Sequence, residues 1–180
     1  MKSGIALFLM LVGHFAYGSE LLLSCNVGTK TTTRVEIFRD SEIGDTHVYY
    51  VRHGGETRAF FDNRSDSRGS GVHSSCVGKK QHVLITSGEF TANFLQGFVL
   101  VHNPITGKIE RVAFAEKSPP EWVYLGSNET LVVFPTHGYG ETNKKYVVYR
   151  HVVGATSDHE AAGTDRLPVA GGFEVIKLRR

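Results

Sequence analysis

The sequence predicts an all-β chain, an antiparallel sandwich or barrel of about ten short strands with at most one short helix. Three observations predict it. Short runs rich in Val, Ile, Thr, Tyr and Phe recur along the chain. Turn-forming Gly, Pro, Asn and Asp separate those runs. No rhythm of helix-length segments alternates with the runs, so a parallel α/β fold is excluded. The chain has 180 residues, 41% hydrophobic and 21% charged, which fits one globular domain preceded by a processed segment.

Taken in order, residues 20–27 read as a first strand closing at Gly28. Residues 31–38 are β-branched, with Val35 and Ile37 alternating against Arg34 and Glu36 as in a half-buried strand. Residues 40–45 form a turn, and residues 46–52 carry Val48, Tyr49, Tyr50 and Val51 in a third strand. Gly54 and Gly55 turn the chain into residues 56–61, a hairpin signal. Residues 62–75 contain only Val72 as an apolar residue and read as a loop, pinned at its end by Cys76.

Residues 81–86 are a further strand. Residues 87–96 form the one candidate helix: Ser87 caps it, Phe90 and Phe94 sit one turn apart, and Gly97 ends it. Residues 97–135 carry the plainest β signal, two adjacent strand pairs that together read as a four-stranded blade. The first pair, 97–103 and 108–114, turns at Pro104 and Gly107, and the second, 122–125 and 131–134, turns at Gly126 and Asn128. Pro119 and Pro120 break the chain between them. Within 108–114, Val112 and Phe114 face one side and Ile109 and Ala113 the other, so both faces are expected to be partly covered. Residues 136–145 and 154–171 read as loops, and residues 146–153 and 172–178 as the last two strands.

The first eighteen residues have a different character. Lys2 is followed by an apolar run from Ile5 to Val12, and Ala16 and Gly18 are small residues at positions −3 and −1 of a cut before Ser19. This is the pattern of a secretory signal peptide, too short to span a bilayer. The expected organisation is a leader at 1–18 and one mature β domain at 19–180, exported to the periplasm or the medium. Losing Lys2 leaves 19 basic against 18 acidic residues, a formal charge of +1. The two cysteines, Cys25 and Cys76, are expected to form a disulfide in that compartment. Leu22, Leu23 and Ser24 before Cys25 also read as a lipoprotein box, in which Cys25 would carry an acyl chain.

Catalytic spacing is sparse. The chain has no Gly-x-Ser-x-Gly elbow, no His-Glu-x-x-His, no phosphate loop and no Cys-x-x-Cys. Its nine histidines are scattered, so no metal and no cofactor is expected. A hydrolase drawn from Asp66, His73 and Ser74 uses neighbours on one segment, whereas a triad needs separate elements. Near-neutral charge also argues against a nucleic-acid partner.

The polar loops remain as candidates. Arg64 and Arg68 in the first, and His137 and Tyr139 in the second, are the expected partner-binding residues. Cys25, Gly28 and Cys76 together resemble, over less than half the chain, the small bacterial periplasmic lysozyme inhibitors. Phe90 after Ser87, Gly88 and Glu89 departs from the Ser-Gly-x-x-Tyr of that group, and no family is assigned. The expected function is an exported β domain that binds a protein partner without catalysis, as an inhibitor or neutraliser of an envelope or extracellular enzyme. The alternatives are a secreted hydrolase assembled across strands, an apolar-ligand carrier and a lipid-anchored envelope component.

Overall fold

Two central strands bury side chains on both faces, and the architecture follows from covering both. A computed structural model describes residues 19–29, 33–138, 142–155 and 160–178. The predicted leader and Tyr139 lie outside the described residues. The first sheet contains β1 (Glu20–Asn26), β2 (Arg34–Arg39), β3 (His47–His53), β4 (Glu56–Ala59), β5 (Arg68–Val77), β6 (Val83–Glu89), β7 (Leu95–His102) and β8 (Ile109–Glu116). The second contains β9 (Trp122–Leu125), β10 (Glu129–Pro135), β11 (Tyr146–Val152), β12 (Glu160–Thr164) and β13 (Glu174–Lys177). Strand order is β1-β2-β3-β5-β6-β7-β8 in the first, with β4 beside β3, and β12-β11-β10-β9-β13 in the second. All pairings are antiparallel. The chain is an all-β sandwich, with no helix among the described residues.

Successive side chains on a strand point to opposite faces. Leu84, Phe98 and Leu100 therefore turn toward Val35, Ile37, Tyr49, Val51 and Phe60, and form a first core inside the first sheet. Val83, Ile85, Val99, Val101, Val112 and Phe114 turn the other way, against Val123, Leu125, Val132 and Phe134 of the second sheet. Arg111 lies over the Phe98 ring at 3.9 Å and donates to the Phe60 carbonyl at 2.5 Å, closing one end of the first core. Burial pushes its guanidinium down to about 10, so it is still charged at neutral pH.

The first core exists because the first sheet coils on itself. Gly28, just past β1, exchanges two backbone hydrogen bonds with His82, just before β6, at 2.7 and 3.1 Å. The expected disulfide is formed: Cys25 on β1 is bonded to Cys76 on β5, with their Cα atoms 5.5 Å apart. The Cys25 sulfur is therefore in the bridge and not available for acylation.

Four sequence expectations need correction. Residues 62–75 are not all loop, because β5 starts at Arg68, pairs with β3 and then with β6, and bulges where Gly71 takes φ 57°. The serines and glycines that read as loop there are strand residues whose small side chains leave room for their neighbours. Residues 87–96 are not helical. Ser87, Gly88 and Glu89 pair with Gly97, Gln96 and Leu95, and the chain turns between them. Phe90 and Phe94 then diverge: Phe90 joins Phe60 and Phe61, while Phe94 lies beneath Lys117 at 4.2 Å. The two hairpins of residues 97–135 are not one blade either. β7–β8 belongs to the first sheet and β9–β10 to the second, and the proline-bearing segment between them carries the chain across. Residues 154–171, read as a loop, hold the edge strand β12. β5 and β12 bring the strands among the described residues to thirteen.

Two outcomes follow for stability. The disulfide closes a loop with sequence separation 51, so replacing both cysteines by serine lowers unfolding free energy by up to about 4 kcal/mol, read from urea midpoints under oxidising conditions. A Cβ at Gly97 would lie 2.1 Å from the Thr86 carbonyl oxygen and 2.6 Å from the Phe114 ring. Gly97→Ala forces apart the β6–β7–β8 pairing and lowers the thermal midpoint by several degrees, a cost of roughly 1–3 kcal/mol.

Candidate functional site

The residues of β2 and β3 that do not enter the first core face outward, and they make a surface of arginine and aromatic rings. Inward Val35, Ile37 and Val51 leave Arg34, Glu36 and Phe38 outside on β2, and Tyr50 and Arg52 outside on β3. The register sets Phe38 beside Tyr50 and Glu36 beside Arg52. β4 extends the same face, with Thr57 beside Arg52 and Ala59 beside Tyr50.

The Arg52 guanidinium lies 4.4 Å from the Phe38 ring centre, and its Nε and Nη2 donate to Glu36 at 2.8 and 2.6 Å. Arg34 reaches the other oxygen of Glu36 at 2.8 Å. The Arg52 hydrogen bond holds the Glu36 carboxyl below its ordinary range, outweighing desolvation. Burial pushes the Tyr50 phenol up.

Arg64 arrives from the turn after β4, 5.7 Å over the Tyr50 ring and 3.2 Å from the Asp40 carboxylate. That turn is braced. The Asn63 side chain accepts from the Asp66 N–H at 3.0 Å, and buried Ser67 donates to the Asn63 carbonyl at 2.7 Å while accepting from the Phe61 N–H at 2.8 Å. Ser19, Phe38, Asp40, Tyr50, Arg52, Thr57 and Arg64 line a cleft of about 230 Å³.

The expected partner-binding residues are not brought together. Arg64 is on this cleft. Arg68 is half-buried at the start of β5, donates to the Thr46 hydroxyl at 3.2 Å, and serves the framework. His137 is in the turn past the end of β10 of the other sheet, at φ 49°, the one described non-glycine residue in the left-handed region. It borders a second cleft with Trp122, Lys145 and Tyr146, where the Trp122 and Tyr146 rings meet edge to face at 5.8 Å. As protein-binding residues, Phe38, Asp40, Tyr50 and Arg52 were missed by sequence reasoning. Their signal was present: the six Lys/Arg residues from Arg34 to Arg68 are all arginine, and Arg34, Glu36, Phe38, Tyr50 and Arg52 take alternate positions on two predicted strands.

The hydrolase residues are apart. Ser74 hydrogen-bonds Thr86 at 2.8 Å, Asp66 is bonded to Asn63, and His73 and Ser74 are neighbours on a strand and so point to opposite faces. Among the described residues, no three His, Cys, Asp or Glu side chains converge as a metal site. No helix there is long and apolar enough to cross a membrane.

The best-formed acid–base pair is Glu110 on β8 with His151 on β11. His151 Nε2 donates to Glu110 at 2.7 Å, Asn103 donates at 2.5 Å, and the Gly154 N–H adds bonds of 3.1 and 3.2 Å. Burial pushes the Glu110 carboxyl up, but the Asn103, His151 and Gly154 bonds outweigh it and hold the carboxyl below its ordinary range. Neither residue lines either cleft. The pair ties the first sheet to the second.

Comparison with known protein families, curated sequences and solved structures finds no match to this chain.

The inter-sheet pair has a pH signature. A depressed folded-state carboxyl contributes stability above the unfolded pKa, which is lost as pH falls through the folded value. Glu110→Gln lowers unfolding free energy at pH 7 by roughly 1–3 kcal/mol. Urea titrations at stepwise lower pH show the gap between native and variant protein narrowing below about pH 4.5, near the ordinary carboxylate range.

Proposed function

We propose that this chain is an exported, non-catalytic binding domain that docks on a protein partner through the arginine–aromatic face of β2, β3 and β4. One observation carries the reading: Phe38, Tyr50, Arg52 and Arg64 converge on one cleft on a rigid sheet. Tyr and Arg are enriched among residues that dominate binding energy at protein interfaces. Arginine suits such a surface because its planar fork stacks on rings and pairs with carboxylates in fixed geometry. The disulfide belongs to an oxidising, non-cytoplasmic compartment, in keeping with the leader pattern. An envelope or extracellular enzyme, inhibited or neutralised by the contact, is the partner class this reading names.

The test is capture from envelope and culture extracts, using the protein that starts at Ser19 as bait. The native bait retains a specific partner, and Arg52→Ala with Arg64→Ala weakens retention at least roughly 30-fold, the effect of losing about 2 kcal/mol. Lys117→Ala, on the other edge of the first sheet, leaves retention unchanged. Equal retention by the double variant, or no partner on the native bait, overturns the reading.

A further inference from the structure

Ser19, the residue that follows the predicted cut, is itself a wall of the arginine–aromatic cleft. The next residue begins β1, where Glu20 pairs with Arg39 and receives its Nε at 2.7 Å. The start of the described chain is thereby fastened along the same sheet that carries the cleft. Hydrolysis of the bond between Gly18 and Ser19 adds one water: the carboxylate leaves with Gly18, and the Ser19 nitrogen becomes a free amine. An α-amine has an ordinary pKa of about 7.7–8.0 and is mostly protonated at neutral pH. Removing the leader therefore turns a neutral amide nitrogen into a positive charge at the cleft.

The charges already there set what the cleft accepts. Asp40 stands against Arg52 and Arg64, a lining charge of +1, which becomes +2 with the Ser19 ammonium. Among the described residues, Nη1 of Arg52 and both Nε and Nη1 of Arg64 have no hydrogen-bond partner, so the guanidiniums keep donors for a ligand. The Phe38 and Tyr50 rings offer an apolar wall to the methylenes of a side chain. A volume of about 230 Å³ holds one side chain rather than a folded element.

We propose that this cleft takes an Asp or Glu carboxylate of the protein partner, and that removal of the leader completes it by placing the Ser19 ammonium on its wall. The inference rests on the docking face proposed above and adds to it a ligand class and a dependence on processing. A side-chain carboxylate is favoured over inorganic phosphate because it pairs with a guanidinium fork and also brings methylenes to the Phe38 and Tyr50 rings, which phosphate lacks.

The experiment compares the protein that starts at Ser19, the same protein acetylated on the Ser19 amine, and its Arg64→Gln variant. Each is titrated with N-acetyl tetraglutamate amide and, separately, with inorganic phosphate, and the Nε–H resonances of Arg52 and Arg64 are followed by NMR. Tetraglutamate is expected to shift both resonances and to bind more tightly than phosphate. Acetylation weakens its binding about fivefold, the factor for one unit charge at contact distance in water. Arg64→Gln weakens it by at least as much. Equal binding by the free and acetylated proteins overturns the processing step, and tighter binding of phosphate, or no movement of the arginine resonances, overturns the ligand class. In each case, continued dependence of partner capture on Arg52 and Arg64 leaves the docking face standing. Partner capture indifferent to both arginines overturns the face and this inference together.

Discussion

The structure depends on β6 and β7 burying side chains on both faces. A strand that buries only alternate residues needs one covering layer, but one that buries Leu84 and Ile85, or Phe98 and Val99, needs two. The chain supplies the covers by different means. On one side the first sheet coils until β2 and β3 lie over β6 and β7. On the other a separate five-stranded sheet is laid down. Antiparallel sheets usually leave one face to water, and here that solvated face is displaced outward to β2, β3 and β4, the layer with nothing beyond it among the described elements.

Coiling a sheet until its strands meet brings edge backbone groups together, and those groups need partners. The Gly28–His82 exchange supplies two, and the Cys25–Cys76 bond holds the neighbouring strands at that seam. Gly28 takes φ +89°, and a Cβ there would lie 2.7 Å from the His102 side chain. The seam thus requires a residue without a side chain and with left-handed freedom. Bulging at Gly71 lets one strand, β5, pair first with β3 and then with β6, which is how the coil turns its corner. The inter-sheet bond of Glu110 with His151 does a comparable service between the two sheets.

Most of this was legible where a strand alternates or runs apolar. The strands around Val35, Tyr49, Val99, Val112 and Val132 are where the sequence places them; on β8, Val112 and Phe114 are buried as expected and Ile109 is half-buried, but Ala113 is exposed. What failed has a physical reason in each case. β5 lacks apolar residues because its side chains are short, and its membership comes from backbone pairing, which composition does not report. The 87–96 segment has helical spacing of Phe90 and Phe94, but the closeness of Gly88 and Gly97 to their neighbours fixes a tight hairpin, a tertiary contact that local propensity cannot see. The blade failed because hairpins adjacent in sequence need not share a sheet, and nothing local to Pro119 and Pro120 says on which side of β8 the chain continues. Of the candidate site, only Arg64 was legible. Loop composition pointed to polar tips, whereas the converging groups sit on strands.

That last difference bears on what a docking surface requires. A side chain on a mobile loop loses conformational freedom when it binds, and that loss opposes association. Phe38, Tyr50 and Arg52 are set by strand register, and Arg52 is already held by Glu36 and stacked on Phe38 before any partner arrives. Arg64 comes from outside a strand, yet its turn is closed by Asn63, Asp66 and buried Ser67. The residues that made residues 62–67 look like a free loop are the ones that fix it. An exposed ion pair such as Arg64 with Asp40 adds little to folding stability. Its consequence is positional: it keeps the guanidinium beside the cleft, so the ordering that binding would demand is largely in place in the unbound domain.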